Sequence, residues 1–135
     1  MYFHLMLPTA LTSKLFIDHI VLTIQDIDRS TAFYSAIFGE PAYGGEAKVM
    51  YHIGPTRLFL TLPIGEPLPN DRFDPKRIGL EHFAIGITSL EDLKEIEKVL
   101  DKASITHSGI HIDKHSGKEK IWLDDPDKIR VEFFT

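Results

Sequence analysis

No cysteine occurs in the 135 residues, so the chain forms no disulfide and offers no thiolate to a metal. Any ion it holds must rest on His, Asp or Glu. An excess of positive charge is also missing: 15 Lys and Arg against 20 Asp and Glu leave a net charge of −5. That balance excludes the broad basic footprint of sequence-independent nucleic-acid binding, although a local cationic patch could still serve an anionic substrate. The N-terminal run lacks a basic start, its first lysine being Lys14. It therefore reads poorly as a secretory leader, and the cytoplasm is the expected location.

What is present is ordinary for a globular protein. The hydrophobic fraction is 43% and the charged fraction 26%, which suggests neither disorder nor a membrane span. The length fits one domain with one sizeable core. Pro8, Thr9 and Thr12 interrupt the apolar start, so residues 1–15 are read as an N-terminal arm, mobile or reaching a second subunit, and residues 16–135 as the single domain.

Residues 16–24 (FIDHIVLTI) are rich in β-branched and aromatic types and predict a strand. Asp26 or Asp28 then caps a helix that ends at Gly39, with Ile27, Ala32, Phe33, Ala36 and Ile37 expected on its buried face. Strands are expected near Ala42 and over residues 49–53 and 57–62. Four of the eight prolines fall in residues 63–76, making residues 63–78 the expected linker or surface flap between module one (16–62) and module two (79–135). The second half repeats the order: a strand over residues 80–87, a Ser89 cap, a helix over residues 90–102, then strands over residues 106–112, 119–123 and 129–134.

An ungapped shift of 63 residues aligns Asp18-His19-Ile20 with Glu81-His82-Phe83, Ile24 with Ile87, Phe33 with Ile96 and Ile37 with Leu100. Hydrophobic patterning alone does not put histidines at matched positions, so an internal duplication is the simplest account. The expected fold is α+β, two tandem βαβββ modules forming a curved mixed sheet around a central cleft, with His19 and His82 facing each other.

A lone histidine on an apolar strand face is ordinarily a hydrogen-bonded core residue. A matched pair, joined by Glu132 in the last strand, is better read as a metal site, because carboxylates are seldom buried unless paired or bound to a cation. Two imidazoles and one carboxylate leave metal positions open for water or substrate, which suits catalysis rather than a closed structural site. Candidate acids or bases near the cleft are His52, His107, His111, His115 and Tyr51. The run from His107 to Lys120 reads either as a guide for an anionic substrate or as a solvated hairpin.

The segment DHIVLTIQDIDRSTAFYSAIFG resembles the opening strand and helix of the vicinal oxygen chelate superfamily, and DPDKIRVEF is similar to its closing DPDGNxIEL hairpin. That superfamily includes glyoxalase I, bleomycin-resistance proteins, fosfomycin-resistance enzymes, epimerases and extradiol dioxygenases. The resemblance implies the glyoxalase/bleomycin resistance/dioxygenase fold, a homodimer, a small-molecule substrate and one divalent metal ion (Fe, Zn, Ni, Mn or Mg) on His19, His82 and Glu132. The implied activity is bidentate chelation of neighbouring substrate oxygens by a dioxygenase, lyase/isomerase or transferase. A metal-free small-molecule binding protein of the bleomycin-resistance type is the alternative. Lys128 and Ile129 stand where the family has Gly-Asn, and Phe59 stands where the glyoxalase and epimerase branches place a fourth ligand.

Overall fold

Each expected module builds its own four-stranded mixed sheet. In the computed structural model, which describes residues 6–135, a short helix α1 (Thr9–Thr12) precedes module one. That module comprises β1 (His19–Thr23), α2 (Ile27–Phe38), β2 (Tyr43–Gly44), β3 (Lys48–Ile53) and β4 (Thr56–Thr61). Module two comprises β5 (His82–Gly86), α3 (Leu90–Lys102), β6 (His111–Ile112), β7 (Glu119–Asp124) and β8 (Arg130–Phe134). The strand orders are β1-β4-β3-β2 and β5-β8-β7-β6. In both, the first strand runs parallel to the fourth and the other neighbours are antiparallel. The α+β class and tandem modules are as expected, but the eight strands form two sheets that do not close on each other. Among the described residues β1 and β5 each end a sheet, leaving one edge of backbone donors and acceptors for another partner.

Alternation along the strands separates a helix-facing side from an open side. Leu22, Ile24, Val49, Tyr51, Leu58 and Leu60 are buried in module one; Phe83, Ile121, Leu123, Val131 and Phe133 are buried in module two. Each fully buried aliphatic side chain contributes about 1.5–3 kcal/mol relative to exposure. The opposite side carries His19, Val21, Arg57 and Phe59 in one sheet and His82, Arg130, Glu132 and Trp122 in the other, as the strand registers require.

Asp26 caps α2 by accepting the Arg29 N–H, and Gly39, at φ 79°, ends it. The buried stripe is centred on Ser30 and Tyr34, with Ile27, Phe33, Ile37 and Phe38 beside it, whereas Ala32 and Ala36 are exposed. At 100° per residue, positions 27, 30, 34 and 37 share a face. A reading that follows only apolar types misses this because two of its central residues are polar. On α3, Leu93 and Leu100 are buried with Ile96 beside them, and Ser89 accepts the Asp92 N–H.

Tyr34 reaches across the modules. Its hydroxyl donates to Asp125 Oδ2 at 2.8 Å, while Asp125 Oδ1 accepts the N–H groups of Asp127 and Ile129. Burial pushes the Asp125 carboxyl up, opposed by these hydrogen bonds, and burial beside Asp125 pushes the Tyr34 phenol up. Asp127 of the same turn binds Gln25 and Arg29 at the start of α2 and accepts the Phe73 N–H. Lys128 takes φ 70°, the left-handed conformation for which glycine is better suited. The turn is tight, and Glu132 keeps its register opposite Trp122.

Residues 62–81 contain turns and bends but no regular element. Of the expected arm, residues 1–5 lie outside the described residues, and residues 6–19 are exposed.

Candidate metal centre

His82 begins β5 and Glu132 sits centrally in β8, its parallel neighbour, so sheet pairing alone brings them to one face. His82 Nε2 lies 3.4 Å from Glu132 Oε2, and the Glu132 side chain is 7% exposed. On the other side of the ring, His82 Nδ1 meets Glu81 Oε1 at 3.0 Å. An ionised carboxylate only accepts, so Nδ1 carries the proton, and a neutral ring would then present its lone pair at Nε2. Two lone pairs facing each other at 3.4 Å require a proton or a cation to mediate them. The donor set therefore fits a divalent ion held through a neutral imidazole nitrogen and a carboxylate oxygen.

His19 repeats half of this arrangement. Its Nδ1 meets Asp18 Oδ2 at 2.6 Å, again leaving Nε2 free, and its ring stands edge-on to Phe59 at 5.7 Å. The His19 hydrogen bond, and then the Arg57 guanidinium, hold the Asp18 carboxyl below the usual range. Within one chain His19 does not join the other two candidates: among the described residues no three His, Asp or Glu side chains cluster closely enough to hold an ion. The expectation that the two imidazoles face each other is not met inside a single copy, because the sheets remain separate.

The register places Phe59 without ambiguity. Val21 pairs Phe59 in module one as Ala84 pairs Glu132 in module two, so Phe59 occupies the position equivalent to the glutamate. Lys48 and Arg57 lie 5.6 and 5.5 Å from the centroid of its ring.

The candidate acids and bases separate by face. Tyr51 points to the helix side, its hydroxyl bound to Ser35 and to the Thr31 carbonyl, and is 1% exposed; it is a core residue. His107 is a structural clip: Nε2 meets Asp101 at 2.7 Å and Nδ1 accepts the Gly109 N–H. His52 lies on the open side of module one opposite Arg57, whereas His111 is at an edge strand and His115 in an exposed turn. Sequence reasoning missed Asp18 and Glu81 as imidazole partners, although an acidic residue before each repeated histidine was the available signal. It also missed Arg130, which stacks 3.7 Å over Trp122 and binds both oxygens of Asp124.

A cavity of about 300 Å³ opens beneath residues 63–80, where Thr23, Phe73, Ile78 and Leu80 meet Arg72 and Asp127. Neither His82 nor Glu132 lines it. No helix of the described residues is long and apolar enough to cross a membrane.

Comparison with known proteins gives concordant findings. The family model of the Glyoxalase/Bleomycin resistance protein/Dioxygenase superfamily matches residues 16–133. Metallothiol transferase FosB of Lysinibacillus sphaericus (strain C3-41) is 25% identical over 120 residues, covering 88% of this chain and 81% of that protein. Among solved structures, a glyoxalase candidate from Bacillus halodurans superposes with a TM-score of 0.77 at 21% identity, covering 92% of this chain and 98% of the other. A glyoxylase/bleomycin resistance protein/dioxygenase domain from Frankia sp. EAN1pec gives 0.71 at 25% identity, with 89% and 96% covered.

Proposed function

Because the chain belongs to the glyoxalase/bleomycin resistance protein/dioxygenase superfamily, we propose that it is a metal-dependent enzyme acting on a small molecule that offers two neighbouring oxygens. One divalent ion is held by His82 and Glu132 of one copy and His19 of a second copy, in a homodimer. The observation that carries this reading is the approach of His82 Nε2 to a buried Glu132 oxygen with the Nδ1 proton already engaged. His19 has the same preparation but stands apart, on an edge strand flanked by exposed Ile17 and Val21. Leu80, just before β5, is exposed as well. A second copy can cover these edges and bring its His19 to the pair.

When bound, the ion supplies Lewis-acid stabilisation of negative charge on the substrate oxygens. The protein's share follows from its own side chains. Asp18 and Glu81 fix the tautomer and orientation of the two ligating rings. Phe59 withholds a fourth donor, so coordination positions stay open to substrate. Trp122 with Arg130, and Phe59 with Lys48 and Arg57, provide aromatic surfaces with adjoining positive charge. Likeness to a metallothiol transferase favours group transfer among the reaction types hosted by the family.

Mixing two variants tests the shared site. His19→Ala and His82→Ala each lose stoichiometric metal, measured by elemental analysis of protein purified without a histidine tag. Random exchange of their subunits restores about a quarter of the sites, because each mixed dimer regains one intact set. No recovery on verified exchange counts against the shared arrangement, and no metal in wild-type protein after reconstitution counts against the enzyme. The latter result favours metal-free small-molecule binding, a reading to which the existing neutralisation of Glu132 by Lys120 gives some support.

A further inference from the structure

Lys120 stands on the ligand-bearing side of β7, between buried Ile121 and the β6–β7 turn. Its ammonium lies 3.4 Å from Glu132 Oε1 and 3.4 Å from Asp113 Oδ1, and 5.2 Å from the centroid of the Phe134 ring. Its side chain is only 17% exposed, so this is not a solvated surface lysine. The two oxygens of Glu132 are thus divided, Oε2 toward His82 and Oε1 toward Lys120. Asp113 is a fixed second anchor, because its Oδ2 accepts both the Ser116 hydroxyl and the Ser116 N–H at 2.8 Å. Those contacts, with Lys120, hold its carboxyl down to about 2.

An ion on His82 and Glu132 introduces positive charge beside this ammonium in a partly dry setting, where like charges repel more strongly than in water. Lys120 then keeps Asp113 but loses its attraction to Glu132, leaving N–H donors available on the open side of the sheet. We propose that Lys120 couples metal binding to anion binding: it competes with the divalent ion for Glu132 and, once displaced, takes the negatively charged group of the small-molecule substrate. The inference rests on the metal-site reading above and narrows the substrate to an oxyanion.

Cobalt(II) affinity, measured by competition with a chromophoric chelator with and without sulfate, tests the coupling, with circular dichroism confirming that each variant folds. Lys120→Met removes the internal competitor and tightens cobalt binding about tenfold. Asp113→Asn removes the alternative partner, drives Lys120 onto Glu132 and weakens binding. A purely structural role does not give these opposite signs. Sulfate raises wild-type affinity about fivefold and leaves Lys120→Met unchanged, as linkage through one residue requires. Equal cobalt affinity in wild type and Lys120→Met, shifts of the same sign in both variants, or an equal sulfate effect on wild type and Lys120→Met overturns the proposal while leaving the metal site intact. A wild-type protein that binds no cobalt overturns both.

Discussion

The two modules set the same frame around different central residues. His19 pairs Arg57 as His82 pairs Arg130, Val21 pairs Phe59 as Ala84 pairs Glu132, and Lys48 pairs Thr61 as Lys120 pairs Phe134. Histidine, arginine and lysine are therefore shared, and the position among them is phenylalanine in one module and glutamate in the other. Phe59 gives its cations only a ring face, whereas Glu132 gives Lys120 and His82 a buried carboxylate. A repeated scaffold can thus keep the same flanking groups in both halves while placing the buried carboxylate charge in one.

The strongest way to break the comparison is to remove that charge. Glu132→Gln is expected to abolish stoichiometric metal binding in elemental analysis, since an amide oxygen is a much poorer ligand for a divalent ion in a three-donor site. Making the modules alike acts in reverse: Phe59→Glu supplies a fourth donor and is expected to tighten cobalt binding about tenfold while reducing turnover by closing an open position. Chelator competition beside an activity assay reads both changes.

Smaller effects test the contact between modules. Tyr34→Phe deletes the hydrogen bond to Asp125 and is expected to cost about 1–3 kcal/mol in urea unfolding. The hairpins differ as well: module one places Gly54, at φ 56°, in its β3–β4 turn, whereas module two places Lys128 at φ 70°. Lys128→Gly relieves a left-handed lysine and should stabilise by about 1 kcal/mol, read as a raised Tm. Least in energy is Asp113, whose carboxyl is held at about 2 by Ser116 and Lys120. Because its folded value lies below the 3.8 of an unperturbed aspartate, its contribution is present above that value and lost as pH falls toward about 2. Carbon-13 NMR titration should show this low midpoint, and Ser116→Ala should move it upward.

Much of the architecture was legible because the repeat carries caps and alternation together. Asp26 and Ser89 cap the two helices, and the long strands lie within two or three residues of their expected spans. The expected strand over residues 106–112 shrank to His111–Ile112 and an isolated bridge at His107. Gly109 at φ 74° and the His107 clip divert the backbone there, a tertiary effect that strand propensity does not register. Phe59 could be placed from the family likeness, and the register agrees. Tyr51 was placed among the cleft candidates because its strand was expected to border the cleft, but alternation turns it and the adjacent His52 to opposite sides. That β1 and β5 would each end a separate sheet was not legible, because side-chain patterning within a strand says nothing of which strand, if any, lies beyond its edge.

The Tyr34–Asp125 hydrogen bond spans 91 residues of sequence, and this separation bears on how the chain acquires its fold. During synthesis the helix that carries Tyr34 emerges long before the turn that completes its polar environment. A contact of such high order adds loop-closure entropy to the search and slows it. A fragment ending before Asp125 has a phenol facing the core without its acceptor, so the first module alone is expected to be the less stable folding unit, and the last strand the one that locks both halves.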